Sequence, residues 1–476
     1  MGGNNPAAGS IKQQLHSLLG CRLEEKYNDI IPLLALCEYR LRTYRSYGTF
    51  DMMFSTEETT PALKIYRTCL FPFAFIKNML TADKKDDKVM LSATILKNDR
   101  YRSLVADISK TCQVVKTNTM SDIVIWSPSQ SLSEYLHNTF GGKRILNGKN
   151  ITGTALKKAV INWLEFVLYL SENGKTCTDE AEKADHLLSC LKKNFEQRLD
   201  EITDALKNSG IKLYITINQY NMRDFVLISA FRKLGVKTRQ LEHHASRFMH
   251  NTRELDEIYR FCFVDEICCW SESEVDFHNN VYSYECFTGK DSPLIYSVGN
   301  PEISYSDAVA ATEKYPVKNR ITFMVSGILN SNDEKSLAKQ LALRNSIFSN
   351  LKKLSDEKNI KILVRYPPGI DMNFRRAEEQ TLIDMGFEIS PSDRNSLLSD
   401  ICGSCAVIGT ISSVLGLSAL MGKKVYQVAG ENEKFHITDK NIFTIKADEI
   451  CNIITDTVSA PLEKSDFMDC SRLMEL

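Results

Sequence analysis

The sequence has no apolar run approaching the roughly eighteen residues that a helical bilayer crossing needs; its best stretch, Cys69 to Ile76, is short and contains Pro72. A membrane-spanning helix is therefore not expected. Charge of one sign is also lacking: Lys+Arg number 59 against Asp+Glu 60, a formal net charge of -1. That balance offers no global basic field for a nucleic acid, and none is expected as a partner. The opening residues MGGNNPAAGS lack the basic-then-apolar order of a secretory leader, so a cytoplasmic location is expected. Histidine is scarce, at 8, and neither HExxH nor a Cys/His ligand set occurs, which leaves metal-independent chemistry as the expectation. Cysteine is not scarce. The 14 cysteines sit in apolar runs such as Phe261-Cys262-Phe263 and Ile267-Cys268-Cys269-Trp270, the setting of reduced, buried thiols. Cys402-Gly403-Ser404-Cys405 has redox spacing but precedes a strand instead of opening a helix, which argues against a redox role.

What is present is a folded α/β pattern: 476 residues, 43% hydrophobic and 25% charged, too long for one ordinary core. Residues 1–84 read as a tail and a helical extension, with apolar stripes at Leu15, Leu18, Leu19 and Leu23 and at Ile31, Leu33, Leu34 and Leu36. Within it Tyr39, Arg40, Arg42, Tyr44 and Arg45 form a basic-aromatic cluster. A solvated helix face is one reading of it; contact with a partner or with the inner membrane surface is the other. From 85 to 301 strands and helices alternate: strands near 89–91, 112–115, 123–126, 212–217, 236–241, 267–270 and 295–298, a long helical stretch over 154–208, and a crossover helix over 225–234 stopped by Gly235. The polar segment 302–319 reads as a linker. Beyond it the pattern restarts over 320–476, with strands near 321–325, 360–364, 387–389, 406–408, 425–428 and 442–445, then carboxyl-terminal helices.

The stretch with the clearest chemistry is CAVIGTISSVLGLSALMGKKVYQV, from Cys405 to Val428. An apolar strand leads into the polar turn Gly409-Thr410-Ile411-Ser412-Ser413, and a helix follows with apolar residues at helical spacing. Hydroxyls and free amides of such a turn lie at the carboxyl end of a strand and the positive end of a helix, where a phosphate is favoured. A plain helix cap by Thr410, Ser412 or Ser413 is the alternative. Ser326 and Gly327 end another second-half strand, and Arg365 and Pro367 a third. In the first half, Glu242-His243-His244 follows the 236–241 strand. An imidazole there suits a base near neutral pH, with capping as the competing role.

Two Rossmann-like halves of this length suggest the GT-B arrangement, two domains facing across a cleft. The order of turns resembles bacterial surface-polysaccharide (capsule and O-antigen) glycosyltransferases of that fold, including capsule sialyltransferases and Kdo transferases. The residues that carry the resemblance are GVKTRQLEHHA, CCWSES, YSVGNP, ILVRYPP and GTISSVLGLSALMGKKV, within about 211–428. The resemblance implies transfer of a sugar from a CMP- or NDP-sugar donor to a glycan or lipid-linked glycan acceptor. It also implies a catalytic turn at His243, His244 and Glu242, and donor contacts from Pro367, Thr410, Ser412 and Ser413; Ser326 and Gly327, at another second-half strand end, and Arg365, taken in place of the histidine that the family has at Tyr366, are expected to join them. The chain departs from the family pattern at Tyr366, where the family has His, at His243-His244-Ala245 in place of His-Gly, and at Leu417 and Ser418, where many nucleotide-sugar enzymes place a Glu. Donor identity stays open. A nucleotide-sugar epimerase of the same fold is the nearest alternative, and a non-catalytic binder of glycan or partner enzyme is another.

Overall fold

The computed structural model describes residues 26–47, 88–92, 102–111, 113–117, 123–126, 151–173, 178–242, 261–281, 284–325, 334–367, 372–410, 412–429, 441–453, 455 and 459–475. In the first half the elements are helix α1 (Ile31–Tyr47), strand β1 (Lys88–Leu91), α2 (Arg102–Thr111), β2 (Gln113–Thr117), β3 (Ile123–Trp126), α3 (Thr154–Asn173) and α4 (Thr178–Leu206). There follow β4 (Ile211–Thr216), α5 (Met222–Lys233), β5 (Lys237–Leu241), β6 (Phe261–Cys262), β7 (Glu266–Cys269), α6 (Glu272–Val281), β8 (Glu285–Cys286) and β9 (Leu294–Ser297).

Seven of these strands make one sheet in the order β3-β2-β1-β4-β5-β7-β9, with β6 and β8 forming a separate ribbon. All neighbours run parallel except β2 and β3. Parallel strands are covered on both faces, which is why β4, IKLYIT, is buried at every residue except Lys212. One face carries α1, α3, α4 and α5 in a core containing Leu36, Trp163, Leu191, Tyr214 and Phe225. The other packs Val89, Leu91, Leu104, Ile108, Leu213 and Ile215. Helix α5 shows how local sequence sets its bounds. Asn221 caps it by accepting from the Arg223 amide at 2.9 Å, Asp224 sits in its first turn and Arg232 and Lys233 in its last, and Gly235 at φ 68° turns the chain back.

The second half contains α7 (Tyr305–Lys314), β10 (Arg320–Met324), α8 (Glu334–Lys358), β11 (Lys361–Arg365), α9 (Met372–Asp384) and β12 (Glu388–Ile389). After these come α10 (Arg394–Cys402), β13 (Ala406–Gly409), α11 (Ser413–Leu420), β14 (Lys424–Val428), β15 (Ile442–Ile445) and the terminal α12 (Cys470–Met474). The sheet order is β12-β11-β10-β13-β14-β15, parallel throughout. Numbered within this half, that is 3-2-1-4-5-6, the doubly wound order of mononucleotide-binding halves. The α/β class with two Rossmann-like sheets is therefore observed.

Three boundaries differ from the sequence reading. The segment 302–319 is largely helix α7, capped by Ser304, whose hydroxyl accepts from the Asp307 amide at 3.1 Å; Ala308 and Ala311 are buried in the second core beside Met324 and Leu415. Its polar look comes from one solvated face. Helix α1 is no appendage, since Tyr39 is buried and stacks on Tyr220 at 4.2 Å; of the cluster around it, the Arg40, Arg42, Tyr44 and Arg45 side chains lie outside the described residues. Finally, the carboxyl terminus returns to the first half. Asn300 and Phe467 form a bridge, the Asp469 amide donates to the Val298 carbonyl at 2.7 Å, and Leu473 is buried among Val89, Leu91 and Leu213. Gly299, at φ 82°, is required there because a Cβ would collide with the Phe467 carbonyl. No helix among the described residues is long and apolar enough to cross a membrane.

Candidate functional site

In an open parallel sheet the ligand crevice lies beyond the carboxyl ends of the strands where the strand order reverses. In the second half that point falls between β10 and β13, which pair Met324 with Gly409 at their last rung. The described stretches 324–325 and 409–410 end here, and α11 starts just beyond the second of them. Gly409 makes the approach possible: a Cβ on it would come within 3.0 Å of both the Met324 carbonyl and the Leu415 side chain, so strand end and helix α11 close on each other without a side chain between them. Ser412 caps α11 with its hydroxyl, which accepts from the Val414 amide at 3.3 Å, while its carbonyl accepts from Leu415. Thr410 is half-buried between β13 and this cap, its carbonyl 3.5 Å from the Gln427 side-chain nitrogen. The capping role weighed from sequence is thus occupied by Ser412. It is compatible with anion binding, because the cap leaves other first-turn amides of α11 directed out of the helix end. Of Ser413 only the backbone, as the first residue of α11, is described. Ser326 and Gly327 lie outside the described residues; Val325, just before them, donates its amide to the Arg365 carbonyl at 2.9 Å.

Arg365 closes β11 beside β10, but its guanidinium faces inward. It donates to Asp400 Oδ2 at 2.7 Å, to Ser396 Oγ at 2.7 Å, to Ser390 Oγ at 3.2 Å and to the Asp393 carbonyl at 2.5 Å, and the side chain is 7% exposed. Ser390 also donates to Asp400 at 2.6 Å. This is a buried ion pair with its remaining valences met by hydroxyls, and it ties α10 and the 390–393 turn to the sheet. Sequence reasoning missed Asp400, Ser390 and Ser396, since no local signal joins them to a residue some thirty positions earlier. Tyr366, which stands where the resembled family has a histidine, is buried with its hydroxyl donating to Glu378 at 2.7 Å and Arg375 stacked on its ring at 5.1 Å. Burial, with Glu378 adding to it, raises its phenol well above the ordinary tyrosine value. Pro367, half-buried, follows it directly.

In the first half Glu242 leaves the carboxyl end of β5. Its amide donates to the Cys268 carbonyl, its Oε1 accepts from Gln240 at 2.7 Å, and its carbonyl accepts from the Trp270 indole at 2.7 Å, with only 1% of the residue exposed. Trp270 is itself held, its amide donating to Glu274 at 2.6 Å at the start of α6. A rigid, buried platform therefore carries the chain into His243 and His244, which lie outside the described residues. Asp265, the acid just before β7, is at the opposite edge of the sheet, where its carboxylate accepts from the Thr238 amide and hydroxyl at 2.9 and 2.8 Å. It cannot join a site at the carboxyl ends. A cavity of about 610 Å³ lined by Phe225, Arg232, Lys237, Phe263 and Lys290 also opens at that amino-terminal edge. Among the described residues no three His, Cys, Asp or Glu side chains gather as metal ligands.

No protein-family model matches the sequence, and no curated protein does. Among solved structures, the chain is similar to UDP-GlcNAc 2-epimerase from Methanocaldococcus jannaschii, with TM-score 0.42 and 11% identity over 81% of this chain and 97% of that one. It is similar to the lipopolysaccharide outer core galactosyltransferase WaaB in its apo form, with TM-score 0.39 and 10% identity over 77% and 87% of the two chains. It is also similar to the accessory secretory protein 1,2 and 3 structure from Streptococcus pneumoniae, with TM-score 0.34 and 8% identity over 54% of this chain; the match spans about half, 49%, of that one.

Proposed function

We propose that the protein is a GT-B glycosyltransferase that moves a sugar from a nucleotide-sugar donor to a glycan or lipid-linked glycan acceptor in the making of a bacterial surface polysaccharide. The observation that carries this reading is the pairing of Met324 with Gly409 at the strand-order reversal of a 3-2-1-4-5-6 sheet, with the Ser412-capped helix α11 following that strand end. That is the place and the chemistry for a nucleotide phosphate. The resemblance of the serine-rich turn to capsule and O-antigen transferases supplies the substrate class.

In this reading the acceptor hydroxyl oxygen bonds to the anomeric carbon, its proton passes to an imidazole of His243 or His244, and the bond to the leaving phosphate breaks with its electron pair going to phosphate oxygen. Thr410, Ser412 and the first amides of α11, with Ser326 and Gly327, receive the charge that grows there. Arg365 contributes by fixing this end of the sheet, with Pro367 just after β11 as a further donor-side residue. Metal-independent transfer predicts unchanged turnover in excess chelator. The donor, the acceptor and an association with the inner membrane surface belong to the same proposal.

A thermal-shift panel of CMP, UDP, GDP and their sugars tests the reading, because a ligand at a hundredfold its Kd adds about 2.7 kcal/mol to stability. A flat response across the panel would overturn it in favour of a non-catalytic binder. Incubation with UDP-GlcNAc without acceptor separates the epimerase reading, since only an epimerase converts it. If an imidazole is the base, His243→Ala or His244→Ala lowers kcat by about 10² to 10⁴ with nucleotide affinity nearly unchanged. Near wild-type kcat in both variants would exclude that role.

A further inference from the structure

In the β6–β8 ribbon Cys262 and Cys286 are register partners in adjacent parallel strands. Residues so opposed have Cα atoms about 4.8 Å apart, inside the range of about 4.4–6.8 Å that a disulfide spans. The rung is fixed by the Phe287 amide donating to the Cys262 carbonyl at 2.9 Å and by Phe287 stacking on Phe263 at 5.4 Å. Both cysteines are free thiols, Cys262 buried and Cys286 partly exposed. Its interaction with Cys262 draws Cys286 below the ordinary cysteine range, with burial and Asp291 opposing; Cys262 is itself pushed up, first by burial, and its thiol donates to the Val264 carbonyl at 3.4 Å. The pair therefore sets one partly exposed sulfur beside a buried one on facing rungs of the ribbon.

Two other pairs of cysteines close in sequence are placed differently. Cys268 and Cys269 are neighbours on β7 and point to opposite faces, one into each core of the first half. Cys402 and Cys405 are both buried, and burial raises each.

We propose that Cys262 and Cys286 form a reversible, peroxide-sensitive disulfide. The Cys286 thiolate attacks a peroxide oxygen, the O–O bond breaks and water or an alcohol leaves, giving a sulfenic acid at Cys286. The Cys262 sulfur then attacks that sulfur, its proton leaves with the departing hydroxyl as water, and the S–S bond forms. Two thiols are oxidised by two electrons and one peroxide is reduced. The crosslink closes a loop that contains β7 and its Trp270 turn, which supports Glu242. Oxidation would thus be felt at the candidate catalytic turn.

The test treats the reduced full-length protein with hydrogen peroxide, alkylates the remaining thiols, and cleaves after glutamate. Trypsin is unsuitable because no Lys or Arg lies between Phe261 and Gly289, whereas cleavage at Glu266 and Glu285 puts Cys262, Cys286 and the Cys268-Cys269 pair on separate fragments. The expected result is a fragment crosslinked between Cys262 and Cys286, released by dithiothreitol, with a higher Tm for the oxidised protein. In Cys286→Ser, whose partly exposed position tolerates the change, Cys262 stays fully alkylatable after peroxide. In Cys262→Ala, a sulfenic acid accumulates at Cys286 and is trapped by dimedone. Over-oxidation of Cys286 with Cys262 still alkylatable, a crosslink to a different cysteine, or no reaction at Cys286 would each overturn the proposal.

Discussion

Ser412 illustrates how one residue can have two roles that a mutation must separate. Its hydroxyl caps α11, and its position at the strand-order reversal puts it beside the proposed phosphate. Ser412→Ala removes both functions and costs about 1 kcal/mol of stability as a lost cap. Ser412→Asp keeps a good cap but sets a carboxylate against the phosphate, so Tm is retained while nucleotide affinity falls at least tenfold by titration. Full affinity in Ser412→Asp would move the phosphate away from this helix end. Arg365 asks for the opposite separation. Its guanidinium neutralises buried Asp400, and removing it strands that charge, so Arg365→Ala is expected to cost about 3–5 kcal/mol in denaturant unfolding. A stable Arg365→Ala protein with weakened nucleotide binding would instead restore the phosphate contact read from sequence. That reading rested on a cation at a strand end; the partners that claim it, Ser390, Ser396 and Asp400, are distant in sequence and leave no local pattern.

At the scale of elements, the strand-turn-helix units were legible because both faces of a parallel strand are covered, which forces runs such as Ile321 to Met324 and Ala406 to Ile408 to be almost wholly apolar. The turn after the second of these runs was legible too, from the glycine and hydroxyl residues between a strand pattern and a helical one, and Ser412 caps α11 there. Helix α7 was not, because only Ala308 and Ala311 of its middle are buried and small residues give a weak stripe. The unit β13-turn-α11 carries a direct test of its geometry. A Cβ at Gly409 meets the Met324 carbonyl and Leu415, so Gly409→Ala must push β10 and α11 apart. The expected cost is about 1–3 kcal/mol, with nucleotide affinity falling alongside because the phosphate amides move with the helix. An unchanged thermal-shift response to every nucleotide in Gly409→Ala would show that the spacing of strand and helix does not matter for binding.

For the whole molecule, the carboxyl-terminal segment couples the second half back to the first, a long-range contact that sequence periodicity cannot encode. Its anchor is Arg239, buried in β5, which donates to the Leu473 and Glu475 carbonyls and to Glu266 Oε2 at 2.5 Å. Glu266 also accepts from the Tyr296 hydroxyl at 2.9 Å and lies 3.5 Å from Lys237. Burial pushes the Glu266 carboxyl up, but the hydrogen bond and charge of Arg239 outweigh it and hold the group below its ordinary value of 4.5. A depressed carboxylate stabilises the fold fully above its unfolded pKa, and that stability is lost as pH falls through the lower, folded value. The segment should therefore loosen below about pH 4.5, and in Glu266→Gln this component of the acid transition should disappear while Tm near pH 7 drops. Hydrogen exchange at Leu473 and Arg472 reads the event locally: the protection factor, taken against the intrinsic rate at each pH, falls on acidification in the wild type and is already low at neutral pH in the variant. Protection of those amides that is equal in both proteins from pH 7 to 3 would show that the Arg239–Glu266 pair does not hold the terminus, leaving burial of Leu473 to do so.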